Sequence, residues 1–171
     1  MNNVILIGFM GVGKGSVARE VIKHSDYVTI DTDDLIESMA NKKIKHIFQE
    51  DGEPYFRKLE KDIGLWLENS VQNTLISTGG GFYKVENLKK IGTIIFLDSP
   101  FDEIIKRIKK HPNSASKLKK RPLLSNIKNA KELYKLRRPE YLALADVVID
   151  VTNKSAFECS RELLEKVKKN D

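Results

Sequence analysis

Five short runs rich in β-branched and aliphatic residues set the frame of this chain, at positions 4–7 (VILI), 27–30 (YVTI), 74–77 (TLIS), 93–97 (TIIFL) and 146–149 (DVVI). Several are almost wholly apolar, the composition of parallel strands covered on both faces rather than of strands with one wet side. The stretches between them change period. Val17, Val21 and Ile22, and later Ile104, Ile105 and Ile108, recur at helical spacing. A final segment over 155–169 sets Phe157, Cys159, Leu163, Leu164 and Val167 along one stripe behind Ser155 as a candidate cap. Strand and helix in alternation imply an α/β fold, a three-layer α/β/α arrangement around a central parallel sheet of about five strands. No internal repeat and no Gly/Ser linker divides the 171 residues, so one domain over 1–171 is expected.

The formal charge of +6 favours an anionic partner such as a phosphate or an acidic metabolite. The single cysteine excludes an internal disulfide framework, and a cytoplasmic protein is expected. No apolar run is long enough to cross a bilayer, and the run at 4–7 is too short for a secretory core, so no membrane partner is expected. From Lys106 to Arg121 every charged side chain is basic, and loop-forming Pro112, Asn113, Ser114 and Ser116 lie inside that stretch. A polar insertion of this kind reads as a mobile lid or binding loop over about 111–124. It lacks the interleaved aromatics on which bases stack, so no nucleic-acid partner is expected.

Gly8-Phe9-Met10-Gly11-Val12-Gly13-Lys14 directly follows the first strand and precedes a helical pattern. A glycine-rich turn in that setting lets successive backbone N–H groups converge on phosphate oxygens at a helix N-terminus, with a lysine for the outer phosphates. The phosphate loop is assigned to 8–16, with Gly11, Val12, Gly13, Lys14, Gly15 and Ser16 against the nucleotide. The next position departs from the pattern, which wants a Ser or Thr hydroxyl for the accompanying Mg²⁺. Gly15 stands there, and Ser16, one helical step on, is rotated by about 100°. Phosphate binding is expected to survive, with the metal short of one ligand.

Three further sets carry chemistry. Asp31 and Asp33 flank Thr32 where the second strand ends, the edge at which open α/β sheets bind ligands. One carboxylate can serve a metal and the other an acceptor hydroxyl, although an Asp there can equally cap a helix. Ser77-Thr78-Gly79-Gly80-Gly81 closes the third strand with three glycines that permit close approach to a ligand. With 23 lysines and only 7 arginines, the chain uses lysine wherever a generic cation suffices. Arg57, Arg121 and Arg137 therefore carry weight, because guanidinium grips a carboxylate or phosphate at two points and ammonium cannot. Glu60, one turn after Arg57, is placed to orient it. His24, His46 and His111 lack metal-ligand spacing, and Trp66 and Cys159 are expected to pack in the interior.

The phosphate loop taken with Asp31-Thr32-Asp33, Phe56-Arg57-Lys58-Leu59-Glu60, Ser77-Thr78-Gly79-Gly80-Gly81, Arg121-Pro122-Leu123-Leu124 and an Arg137 four residues before Tyr141 resembles the shikimate kinase family over essentially the whole chain. That resemblance implies a P-loop fold like that of nucleoside-monophosphate kinases and transfer of a phosphoryl group from ATP to the 3-hydroxyl of shikimate, giving ADP. It implies Mg²⁺ as cofactor, with Asp31 and Ser77 reaching the ion through water and Gly15 at the family's ligand position. It makes Lys14, Asp33 and Arg121 catalytic, with Asp33 on the acceptor and Arg121 closing with the lid. It gives Arg57, Glu60, Gly79, Gly80, Gly81 and Arg137 to shikimate, whose binding region would span about 32–62. Arg107 and Asn153 would lie near adenine, and a monomer is the usual state. Two other readings remain open at this point: a related gluconate or nucleotide kinase, and a nucleotide-binding protein whose turnover is impaired at Gly15.

Overall fold

The computed structural model describes residues 2–110, 124 and 126–168. Five strands, β1 (Val4–Ile7), β2 (Val28–Asp31), β3 (Thr74–Ser77), β4 (Thr93–Asp98) and β5 (Val147–Asp150), form one sheet in the order β2-β3-β1-β4-β5. Every pairing is parallel, with Ile5 opposite Ile76 on one side and Ile94 on the other. The expected strands are all present, but β2 and β5 each begin one residue later and β4 runs on to Asp98. β1, β3 and the middle of β4 are buried throughout, whereas the edge strands β2 and β5 are partly open. The near-continuous apolar runs therefore mark the three inner strands.

Helices α1 (Lys14–Val21), α2 (Thr32–Ala40), the single turn α3 (Ile44–His46), α4 (Glu53–Ser70), the turn α5 (Leu88–Ile91), α6 (Phe101–Lys110), α7 (Ile127–Leu144) and α8 (Ala156–Lys168) flank the sheet. One wide π turn, Ile47–Asp51, joins α3 to α4. α1 and α8 pack on each other, and α4 packs on α2 and the π turn. Ile63 and Leu67 of α4 face the core as expected, but Trp66 does not: at 44 % exposure it lies on the outer side of the helix. The inward face near it is taken by Gly64, where an added Cβ would lie 2.5 Å from Val85 Cγ1. Cys159 is buried, as expected of a small apolar side chain. Among the described residues no helix is long and apolar enough to cross a membrane.

The strand order fixes where a ligand can sit. The chain leaves β1 toward β2 on one side and leaves β3 toward β4 on the other, so a crevice opens at the carboxyl ends of β1 and β3. The loops that follow these two strands are the glycine-rich loop and the triple glycine.

Candidate active site

Gly13 caps α1 with φ 109°, a left-handed conformation that a side chain disfavours, and the cap uses no side chain. The first N–H groups of α1 are thus presented at the loop with their partial positive charge. Gly11 is required by proximity: a Cβ there would collide with Ile108 of α6. Lys14 is buried and folds over the loop, its Nζ donating to Gly8 O at 2.7 Å and Phe9 O at 3.2 Å. Phe9 anchors the loop, packing edge-on against Phe101 of α6 and Tyr134 of α7.

Gly15 lies one position inside α1, and an added Cβ would meet only Arg19 Nη1, at 3.4 Å. Ser16 is exposed, with its hydroxyl 3.5 Å from Arg19 Nη2, so it does not turn back to replace the missing oxygen. On the outer side of the loop, Arg107 donates Nη2 to Val12 O at 2.7 Å. Arg107 also lines an open cleft with Ser99, Thr152, Asn153 and Lys154, beside the phosphate loop.

Across the crevice, Asp31 ends β2 and caps α2, its Oδ1 accepting from Asp33 N at 2.9 Å and its Oδ2 from Ser77 Oγ at 2.9 Å. Asp31 thus caps α2, and the same carboxylate is the one expected to face a metal. Hard oxygens on neighbouring strand ends suit Mg²⁺, which keeps several waters and binds through one or two carboxylates together with phosphates. No group of three or more His, Cys, Asp or Glu side chains among the described residues could hold a metal alone. The donor set therefore fits a hydrated ion carried with a nucleotide.

Asp33 projects from the first turn of α2 into the crevice. Burial, reinforced by the charge of Asp31, pushes its carboxyl up to about 6 even though Lys14 pulls the other way. The influence of Lys14 places the phosphate loop's cation within the field of that carboxylate. Each glycine of the triplet is read by a different side chain. A Cβ on Gly79 would collide with Asp33 Oδ1, and one on Gly81 would lie 2.6 Å from Arg57 Nη1. A Cβ on Gly80 would sit 3.4 Å from Arg137 Nη1 and 3.6 Å from Met10 N, so the two loops face each other here. The Gly79 N–H is committed to Thr32 Oγ1 at 3.1 Å; this residue's contribution is its missing side chain.

The remaining wall of the crevice is built from α4 and α7. Arg57 Nη1 donates to buried Glu60 Oε2 at 2.6 Å, as its spacing implied. Glu53 was not expected but shares the task, accepting from Arg57 Nε at 3.1 Å and Nη2 at 2.8 Å. Its position four residues before Arg57 was the available signal. Burial pulls the Arg57 guanidinium down, yet Glu60 and Glu53 outweigh it and hold the group firmly protonated. Burial likewise pushes Glu60 up against the pull of Arg57 and Arg137. A tilted Phe48–Phe56 ring pair, also unforeseen, stands beside Arg57, whose guanidinium carbon is 5.3 Å from the Phe56 ring centre.

Arg137 is buried and donates Nη1 to Gly80 O at 3.1 Å. Its neighbour Arg138 points elsewhere, pairing with Asp98 at the end of β4 through Nε and Nη2. Among the described residues, Arg137 Nε is the one buried side-chain nitrogen or oxygen without a hydrogen-bond partner. The structure thus brings Lys14, Asp31, Asp33, Arg57, Glu60, Ser77, Gly79, Gly80, Gly81 and Arg137 to one crevice, with Arg107 and Asn153 in the cleft beside the phosphate loop. Arg121 and the lid at 111–124 lie outside the described residues apart from buried Leu124.

Known proteins are similar to this chain in sequence and in fold. The family model described as shikimate kinase matches residues 10–168. The shikimate kinase of Helicobacter hepaticus is 36 % identical over 165 residues, covering 96 % of this chain and 95 % of that protein. A shikimate kinase of Clostridium botulinum (strain Loch Maree) is 43 % identical over 159 residues, 90 % of this chain and 89 % of the relative. Among solved structures, a shikimate kinase from Acinetobacter baumannii in complex with shikimate superposes with a TM-score of 0.86 at 27 % identity, covering 100 % of this chain and 95 % of its own. That from Aquifex aeolicus gives a TM-score of 0.79 at 32 % identity, with 98 % and 97 % covered. With a family match across nearly its whole length, this chain belongs to the shikimate kinase family.

Proposed function

We propose that the chain transfers the γ-phosphoryl group of ATP to the 3-hydroxyl of shikimate, forming shikimate 3-phosphate and ADP. The observation that carries the acceptor is the convergence of two guanidinium groups on the triple glycine: an added Cβ on Gly81 would lie 2.6 Å from Arg57 Nη1, and Gly80 O accepts from Nη1 of Arg137 at 3.1 Å. Arg57, held by Glu53 and Glu60, offers a second guanidinium beside it, and a small carboxylate is the ligand whose two oxygens match such forks.

The triphosphate lies on the loop N–H groups and Lys14, with the base toward Arg107 and Asn153. Asp33 accepts a hydrogen bond from the attacking hydroxyl and turns it toward the γ-phosphate; its raised value keeps it near the range where a proton can be taken. Phosphoryl transfer asks the protein mainly for position and charge, and the facing loops supply both. Mg²⁺ travelling with ATP, held through water by Asp31 and Ser77, would neutralise phosphate charge. Arg121 and its lid would close over the transferring group and exclude water.

Gly15 favours a second reading, a protein that binds ATP but turns over poorly, because neither residue 15 nor Ser16 offers an oxygen at the expected place. A coupled assay of ADP release with shikimate, gluconate and nucleoside monophosphates as acceptors separates these outcomes. ADP release dependent on shikimate is expected. Release with gluconate or a nucleotide instead overturns the acceptor, and ATP binding without transfer at any Mg²⁺ concentration supports the second reading.

A further inference from the structure

Two tyrosines tie the triple-glycine loop to the helix that carries Arg137, and they do so reciprocally. Tyr141 of α7 donates its hydroxyl to Gly80 O at 2.6 Å. Tyr83, in the short turn Phe82–Lys84 that follows the glycines, donates its hydroxyl to Glu140 Oε2 of α7. The two rings meet edge-on with centroids 4.7 Å apart, and Tyr141 also packs on Phe96 of β4. Both tyrosines are buried, and burial raises both phenols, Tyr141 to about 12, so each remains a donor at neutral pH.

The carbonyl that Tyr141 holds is the one that also accepts from Arg137 Nη1 at 3.1 Å. Both lone pairs of Gly80 O are thereby engaged. In a trans peptide the C=O and the following N–H point in opposite directions, so fixing Gly80 O also fixes the direction of the Gly81 N–H. A Gly-Gly peptide plane resists reorientation less than any other, since neither residue carries a Cβ. The clamp for the acid is built on the softest segment of the site.

We infer that Tyr141 and Tyr83 are positioning residues for acceptor capture: their cross-ties hold the Gly80–Gly81 peptide and the Arg137 guanidinium in the orientation that receives the substrate carboxylate. This rests on the assignment of shikimate as acceptor. Neither tyrosine touches the phosphate loop contacts of Lys14, so the effect is specific to one substrate.

The test compares the full chain with Tyr141→Phe and Tyr83→Phe, which keep both rings and remove one hydroxyl each. Each variant should raise KM for shikimate, and its dissociation constant by calorimetry, about 3- to 10-fold, the value of one net hydrogen bond, with KM for ATP unchanged within a factor of about 2. With an analogue in which hydrogen replaces the carboxylate, which offers these donors no acceptor, the variants should match the wild type. Equal rises in KM for both substrates, or an equal loss with that analogue, indicate a merely structural role and overturn the inference. Unchanged shikimate affinity in both variants overturns it too, and Tyr83→Phe provides the answer if Tyr141→Phe melts too low to assay. A wild-type protein that neither binds nor phosphorylates shikimate refutes the acceptor assignment and this inference together.

Discussion

Replacing Arg137 by lysine keeps the charge and removes the fork, which makes it the most informative perturbation of the acid-binding side. In the present geometry Nη1 is spent on Gly80 O at 3.1 Å, and Nε is buried with no partner among the described residues. A carboxylate received by two N–H groups of the guanidinium fork gains two charge-assisted hydrogen bonds, and lysine can replace one of them at most. One such bond contributes about 1.5–3 kcal/mol, which corresponds to a rise in shikimate KM of roughly 10- to 150-fold. ATP affinity should hardly change, because the polar contacts of the phosphate loop involve Lys14, Val12 and Arg107, and α7 meets that loop through Tyr134 on Phe9 rather than through Arg137. The ligand-free protein should lose little stability, since the substitution also removes a buried donor whose desolvation is uncompensated, worth about 1–3 kcal/mol. Steady-state kinetics with each substrate varied in turn, and thermal melts with and without shikimate, read all three effects. Equal losses in KM for ATP and shikimate, or a large drop in the melting temperature of the free protein alone, would refute the clamp.

Gly15→Ser should tighten Mg²⁺ binding or raise turnover, because among the described residues the new side chain meets only the flexible end of Arg19 and adds the absent hydroxyl; superimposable Mg²⁺ titrations of the two proteins refute the role given to this position. Asp33 should make kcat/KM rise with pH through about 6, as its carboxyl loses the proton, and Asp33→Asn should abolish that limb along with most of the rate. The stability effect has the opposite sense: the folded-state value lies above the free value of 3.8, so ionised Asp33 penalises folding increasingly between pH 4 and about 6 and fully above it. Asp33→Asn should therefore melt higher than the wild type at pH 8 and equally at pH 4; a lower melting point at pH 8 would contradict the cause assigned to the shift.

Much of this was legible along the chain, for reasons that are local. Buried parallel strands announce themselves by composition, and a phosphate loop needs only one strand, one turn and one helix, all contiguous. The Arg57–Glu60 pair is set by helical spacing alone. What was not legible depends on contacts between distant segments. Nothing around Tyr83 signals Glu140, because the two meet only after β4 and α6 have been threaded between them. Trp66 looked like core from its apolar neighbours Ile63 and Leu67, yet the inward side near it belongs to Gly64, which packs too closely on Val85 to admit a side chain. Arg137 and Arg138 are adjacent and chemically alike. Only the docking of α7, with Tyr134 on Ser99 O and Arg138 on Asp98, decides which one turns into the crevice.

The central claim is that a loop built for a nucleotide's phosphates faces a pair of guanidinium groups built for a small hydroxy acid, so that one hydroxyl of the acid stands in line with the γ-phosphate. Phosphorus and carbon NMR of a reaction containing the protein, Mg²⁺, ATP and carbon-13 shikimate reads this directly. One phosphate monoester on the 3-hydroxyl, formed in step with ADP, is the expected result. Inorganic phosphate in its place, or a monoester on another hydroxyl, would contradict it.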